Sequence, residues 1–269
     1  MSAPTTLVDA VGTRHQPAGA GARIVSLVPS ITELVCDLGL AGALVGRTGF
    51  CIHPRATVRA IPKVGGTKDV DVERVRSLRP THVIVNIDEN TKAVAQELAG
   101  FVPNLVVTHP LAPQDNASLY RLIGGLFDRI AESEAMCARF AAAHAALLAE
   151  DFAPRHVLYL IWKDPWMTLS RDTYISRTLA LAGLHTLPEA SATRYPIIDL
   201  DQASLAQADA VLLSSEPYMF RARHVDALRT LPAFESKTVR LIDGEMTSWY
   251  GSRAIEGLAY LREFRRSIA

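Results

Sequence analysis

Twenty consecutive residues, AESEAMCARFAAAHAALLAE (131–150), contain neither glycine nor proline and are dominated by strong helix formers. As a helix they would reach about 30 Å, and Pro154 ends the run. On either side the chain has a different rhythm. Short strand-like runs alternate with helical patterns: RIVSLV (23–28), ALVG (43–46), THVIVN (81–86) and NLVVTH (104–109) before the long helix, then HVLYLIW (156–162), AVLLSS (210–215) and VRLID (239–243) after it. Helical patterns fall at 30–39, with Ser30 as N-cap and Glu33 three residues on, and at 69–80, 89–101, 174–184 and 253–268. Such β-α alternation predicts parallel sheets covered by helices. The expected fold class is α/β, two Rossmann-like lobes joined by one long backbone helix, with a ligand cleft between the lobes. The expected bounds are an N-terminal arm over 1–22 with an edge strand at 7–10, an N-terminal α/β lobe over 23–118, a helical connector over 119–153 and a C-terminal α/β lobe over 154–269. One continuous doubly wound sheet with a long crossover helix is the other layout the rhythm leaves open.

Nearly every strand-like run opens into a loop crowded with polar and aromatic residues: GRTGFCIHP (46–54), NIDENTK (86–92), WKDPWMT (162–168), SSEPYMF (214–220) and DGEMTSWYGSR (243–253). Ligands of open parallel sheets bind outside the carboxyl ends of the strands, so these loops predict a binding edge on each lobe. Lys+Arg and Asp+Glu both total 28, which leaves no global field directing the chain to nucleic acid. No apolar run has the length of a membrane span. The three cysteines, Cys36, Cys51 and Cys137, form no CxxC pair and do not read as a disulfide framework. The N-terminus lacks a basic segment followed by an apolar core. That predicts a cytoplasmic protein, or a periplasmic one if an upstream leader has been removed.

Within the loops, the three tryptophans, Trp162, Trp166 and Trp249, offer broad rigid faces suited to a flat macrocycle; Trp162 reads equally well as the end of a core strand. Cys51 and His53 are both able to ligate a soft metal, but two such residues are too few for a structural site, so no metal site is expected. Asp88, Glu89, Glu216 and Glu245 follow strands directly, where carboxylates accept ligand hydrogen bonds or lie in solvated loops. Arg47, Lys68, Lys92, Lys163, Arg171 and Arg253 stand near the same edges, with Lys163 and Arg253 the stronger candidates to hold a ligand anion. No phosphate loop, nucleophile elbow or HExxH helix occurs.

Five segments carry a resemblance: RIVSLVPSITELVCDLGL (23–40), VGRTGFCIHP (45–54), IPKVGGTKDVDVERVRSLRPTHVIVN (61–86), WMTLSRDTYISRTLALAGL (166–184) and DGEMTSWYGSR (243–253). In these the chain resembles the class III periplasmic-binding superfamily, the helical-backbone metal-chelate receptors of vitamin B12 and iron-chelate type. The resemblance implies a single backbone helix, a shallow cleft and limited hinge motion. It places Phe50 against a corrin ring, puts Trp249 and Arg253 in a ligand-contacting loop, and makes Glu73 and Asp201 the acids that dock on a membrane permease.

The resulting expectation is a substrate-binding protein, not an enzyme, that binds a metal chelate without covalent attachment and delivers it to an ABC-type permease. Cobalamin or a related corrinoid is the first choice of ligand, a ferric siderophore or haem the second. A cytosolic corrinoid- or metal-handling factor that kept the fold without a transporter is the reading from another class. The expected ligand-binding residues are Phe50, Cys51, His53, Trp162, Lys163, Trp166, Glu216, Tyr218, Glu245, Trp249, Tyr250 and Arg253, and the chain is expected to act as a monomer.

Overall fold

The computed structural model describes residues 7–201 and 205–268; residues 1–6 of the expected arm lie outside them. Two compact units result. The first runs through Pro110 and takes in Gln114–Phe140 and Tyr250–Arg253, while the second takes in Leu111–Pro113, Ala141–Trp249 and the chain from Ala254 onward.

In the first unit the order is β1 (Ile24–Ser26), α1 (Pro29–Val35), β2 (Leu44–Arg47), α2 (Arg55–Val58), α3 (Val72–Ser77), β3 (His82–Asn86), α4 (Lys92–Ala99), β4 (Asn104–Thr108) and α5 (Asp115–Leu126). Its four strands are all parallel and lie in the order β2-β1-β3-β4. Strands covered by helices on both faces need apolar residues at successive positions, and this is what the sequence supplies. Val25, Leu27, Val83 and Val85 join Val64, Val75 and Leu98 in one buried cluster; Ile24 and Ile84, at the alternate positions, are also fully buried.

The second unit repeats the pattern with β5 (Arg155–Leu160), α7 (Tyr174–Ala180), β6 (Leu184–Thr186), β7 (Ala210–Ser214), α8 (Ala222–Arg229), β8 (Thr238–Ile242), α9 (Gly244–Ser248) and α10 (Arg253–Ser267). Its sheet order is β6-β5-β7-β8, again all parallel. Leu158, Leu160, Val211 and Leu213 form its core with Phe220, Val225 and Val239. Strand β6 is not foreseen by the sequence reading. It is three residues long, and the helical pattern of 174–184 runs straight into it.

In chain order the long helix, α6 (Ile130–Leu148), lies between α5 and β5. Ser133, Met136, Cys137, Phe140 and Leu147 are its buried residues, the spacing of a single helical face. A Cβ on Gly124 of α5 would lie 2.5 Å from the Ser133 side chain, so two small residues allow α5 and α6 their close approach. The boundary between the two units falls inside α6, between Phe140 and Ala141.

Three local expectations need correction. The expected edge strand at 7–10 is a single bridge, Val8 with Arg14, within an arm that packs on the first sheet. Ala10 donates its backbone N–H to the Val107 carbonyl (2.9 Å), and Asp9 accepts from the Val107 N–H (3.1 Å), so 7–15 docks on edge strand β4. Buried Asp9 also holds His15 Nε2 at 3.1 Å. Ser30 does not cap α1: Val28 occupies the N-cap position with Pro29 at the first helical turn, and no side chain makes a capping bond there. The expected boundaries at 118 and 153 also differ from the observed division, because α5 packs with the first sheet and residues 250–253 return to that unit.

Candidate functional site

In each sheet the chain leaves the two central strands in opposite directions, β1 toward β2 and β3 toward β4, and likewise β5 toward β6 and β7 toward β8. Such a reversal opens a crevice at the carboxyl ends of the central strands, where ligands of α/β sheets bind. The loops after β1 and β3 mark that edge in the first unit, and those after β5 and β7 in the second.

At the first unit's edge, the polar groups hold one another. The loop after β3 is organised by two asparagines. Asn90 Oδ1 accepts from the Asn86 N–H (2.9 Å), Asn86 Oδ1 accepts from the Asp88 N–H (2.8 Å), and Asn90 Nδ2 donates to the Thr67 carbonyl (2.9 Å). Glu89 then accepts from the Tyr250 hydroxyl at 2.6 Å. Glu33 on α1 receives both arms of Arg253, Nε at 2.8 Å and Nη2 at 2.5 Å, with both side chains nearly enclosed. Burial pushes the Glu33 carboxyl up, and the Arg253 guanidinium works against that rise. Between these anchors Gly251 donates to Asn116 Oδ1 (2.7 Å) and accepts from the Tyr120 hydroxyl (2.8 Å). Its φ of +81° is left-handed, and a Cβ there would lie 3.1 Å from the Ser30 carbonyl; glycine meets both demands.

This changes the roles expected for several residues. Tyr250 and Arg253 are engaged by Glu89 and Glu33 rather than presented as free ligand donors. Cys51 is fully buried, its Sγ enclosed by the hydroxyls of Thr32 (3.0 Å) and Thr48 (3.1 Å). Burial also pushes its thiol up, and Cys51 stands as a core residue. His53 is half-buried two residues on. Phe50 is 63% exposed, with its ring edge against Gly66. Asp88 Oδ2 lies 3.4 Å from His109 Nε2, and Lys68 donates to the Asp88 carbonyl (2.7 Å).

The second unit's edge is built from rings. Trp166 stacks on buried Phe220, centroids 6.1 Å apart and planes at 5°. Tyr218 tilts on Phe220 (4.6 Å) and meets Trp162 edge-on at 5.5 Å. Trp166 is therefore half-buried against the core, whereas Trp162, equally readable as a strand end, is 40% exposed. Glu216, half-buried, turns toward the protein: its Oε1 accepts from both Trp249 Nε1 and the Ser248 hydroxyl, each at 2.7 Å. Burial raises the Glu216 pKa, with the Ser248 bond opposing it. A Cβ at Gly244 would lie 2.5 Å from Glu216 Cγ, which explains the glycine beneath this carboxylate. Glu216 thus orients the Trp249 indole, a role distinct from the expected bond to a ligand. The segment read as the loop 243–253 is in part helical. Asp243 caps α9 by accepting the Met246 N–H, and Glu245 stands in its first turn.

Sequence reasoning passed over Ile197, Met219, Arg221, Arg223 and His224. The basic run FRARH (220–224) directly after the SSEPY loop was the available signal. Among the described residues, no group of three or more His, Cys, Asp or Glu is placed to hold a metal ion, and no helix is long and apolar enough to cross a membrane. Glu73 is highly exposed on α3 and lies 3.3 Å from Arg76; Asp201 is also exposed.

The profile of a family described as periplasmic binding protein matches residues 24–243. The vitamin B12-binding protein of Photorhabdus laumondii is 22% identical over 204 residues, covering 74% of this chain and 73% of that protein. Among solved structures, the periplasmic vitamin B12 binding protein BtuF of Vibrio cholerae aligns with a TM-score of 0.79 at 17% identity, over 91% of this chain and 96% of that one. The periplasmic heme-binding protein RhuT from Roseiflexus sp. RS-1 aligns equally well, TM-score 0.79 at 22% identity, over 92% and 99%. At these identities the structural matches establish the fold and not the ligand.

Proposed function

The chain belongs to the periplasmic binding protein family, a family of binding proteins and not of enzymes, and we propose that its ligand is a macrocyclic metal chelate, a corrinoid such as cobalamin or a porphyrin such as haem. The observation that carries this reading is the ring surface after β5 and β7. An exposed Trp162, a half-buried Trp166 seated on Phe220, Tyr218 between them and a Trp249 fixed by Glu216 provide rigid aromatic area at the sheet's switch point. Rigid rings lose little entropy on stacking against a flat ligand. Phe50, exposed at the first unit's edge, offers aromatic area of its own there, with His53 three residues on.

The remaining expected residues take supporting roles. Glu216 positions Trp249; Glu33 and Glu89 hold Arg253 and Tyr250. Lys163 and Glu245 stand where they can meet ligand substituents. The relatives bear the names of B12 and haem binders, which supports the chelate class without choosing within it. The family placement favours the periplasmic alternative over the cytoplasmic expectation, and delivery to an ABC-type permease through Glu73 and Asp201 is part of the same proposal.

Titration with cyanocobalamin and, separately, with haemin tests it, following tryptophan emission and the ligand's visible band. All three tryptophans belong to the second unit, so a ligand seated there quenches them. Saturable one-to-one binding of either chelate, weakened at least about tenfold in Trp162→Ala, is expected. Absence of binding by both would reject the macrocycle reading.

A further inference from the structure

The loop after β5 is a hairpin, with Ile161 and Met167 bonded across it (Ile161 N–H to Met167 carbonyl, 2.9 Å) and Lys163 to Trp166 at its tip. Trp162 pairs antiparallel with Met167, and Met167 with Ile197. Residues directly opposite in antiparallel segments project to the same face. Trp162, Met167 and Ile197 therefore line one side of a three-segment ladder. Ile197 is 65% exposed and Met219, next to Tyr218 in sequence, is 61% exposed. Trp162, Met167 and Ile197, aligned on one side of the ladder, offer an apolar binding face.

The margin of this face is cationic. Lys163 Nζ lies 6.0 Å from the centre of the Trp166 ring. Arg221 Nη2 lies 3.2 Å from Met219 Sδ, and Arg223 Nε lies 3.5 Å from His224 Nε2. His224 packs against both Tyr218 and Phe220, and its Nδ1 accepts the Arg221 backbone N–H at 2.9 Å. Its pKa is pushed down by desolvation and then by the charges of Arg223, Lys163 and Arg221.

Little negative charge answers them. Among the described residues neither Arg221 nor Arg223 forms an ion pair with a carboxylate, and Lys163 has only the solvent-exposed Asp164, at 3.6 Å. Within ion-pair distance, these three cations are answered by one carboxylate. Glu216, in the same loop as Tyr218, is directed to Ser248 and Trp249.

We propose that this edge selects chelates with an anionic periphery. The rings, Met167 and Ile197 cover the flat apolar face, while Lys163, Arg221 and Arg223 hold at least two acidic substituents such as carboxylates. A macrocycle rimmed with neutral amides leaves those cations unanswered. The inference rests on the macrocycle reading and chooses within it.

Two water-soluble porphyrins of opposite charge test it, one tetrasulfonated and one carrying four N-methylpyridinium groups, titrated against the full chain beside haemin and cyanocobalamin. The expected result is binding of the tetrasulfonated ring about tenfold or more tighter at low salt, with the gap closing as ionic strength rises. The double variant R221Q/R223Q should reduce the gap to within about threefold. Both side chains are exposed, and an unchanged melting curve confirms that the variant folds. Equal binding of the two porphyrins, a preference for the cationic one, or a gap unchanged in the double variant would overturn the selection for anions. If cyanocobalamin binds while porphyrin charge is without effect, the macrocycle reading stands and this inference falls. If none of the four ligands binds, both fall.

Discussion

The two sheets share one strand order and one kind of switch point, yet their edges are chemically unlike. At the first unit's edge the charges are matched inside the protein: Glu33 with Arg253, Glu89 with the Tyr250 hydroxyl, Asp88 beside His109. At the second unit's edge, rings and exposed apolar side chains stand beside arginines that have no carboxylate partner among the described residues. The same scaffold therefore serves two ends. Internally satisfied polar groups make an edge stiff, because each would be costly to expose alone. Unanswered cations on an aromatic surface cost little while solvated and gain their value when a ligand arrives.

The sharpest way to break this comparison is to remove one partner of the enclosed pair. Glu33→Ala removes the carboxylate that receives both arms of Arg253, whose side chain is only 10% exposed, and should cost about 3 kcal/mol of stability by urea unfolding. A loss below about 1 kcal/mol would mean the pair is effectively solvated.

A second test concerns Glu216, whose pKa is raised in the folded state above the ordinary carboxylate value of 4.5 by burial. The folded protein then holds this proton more tightly than the unfolded chain, so its contribution to stability falls as pH rises from 4.5 through the raised value. Glu216→Gln should flatten that part of the stability-pH curve while keeping an acceptor for Trp249. An unchanged slope would remove the burial argument.

Smaller in effect, Gly251→Ala forces an L side chain into left-handed backbone against the Ser30 carbonyl, and a loss of about 1–2 kcal/mol is expected in thermal or urea melts. The smallest change should come at the other edge. Arg223→Gln, exposed and without an acidic partner, is expected to shift stability by less than about 0.5 kcal/mol. A larger loss there would show that the second edge is as internally braced as the first.

Much of this was legible in the residues. Fully apolar runs such as 83–85 and 211–213 announce strands buried on both faces, since only helix-covered parallel sheets need both alternating sets apolar. The breaker-free 131–150 announces the long helix, observed as Ile130–Leu148. Short elements were not legible: β6 has three residues, and α9 lies in a segment whose polar and aromatic content reads as loop. Local pattern has little to distinguish in so few positions.

The candidate site divides in the same way. That aromatic and acidic residues gather after the strands is a property of the sequence, because topology sends every parallel strand's carboxyl end to one edge. What each residue does there depended on tertiary neighbours. Cys51 and Glu216 both follow strands in loops, and both turn inward because Thr32 and Thr48 lie ready for one and Ser248 and Trp249 for the other. DGEMTSWYGSR reads as one motif, but Trp249 bonds within the second unit and Tyr250 within the first. Sequence alone determined the two parallel sheets, the helix inside which their units divide and the edge that carries chemistry, because apolar periodicity is a local signal. Only the tertiary structure decided which polar groups are answered within the protein and which are left for a ligand, because hydrogen-bond partners far apart in the chain are set by packing.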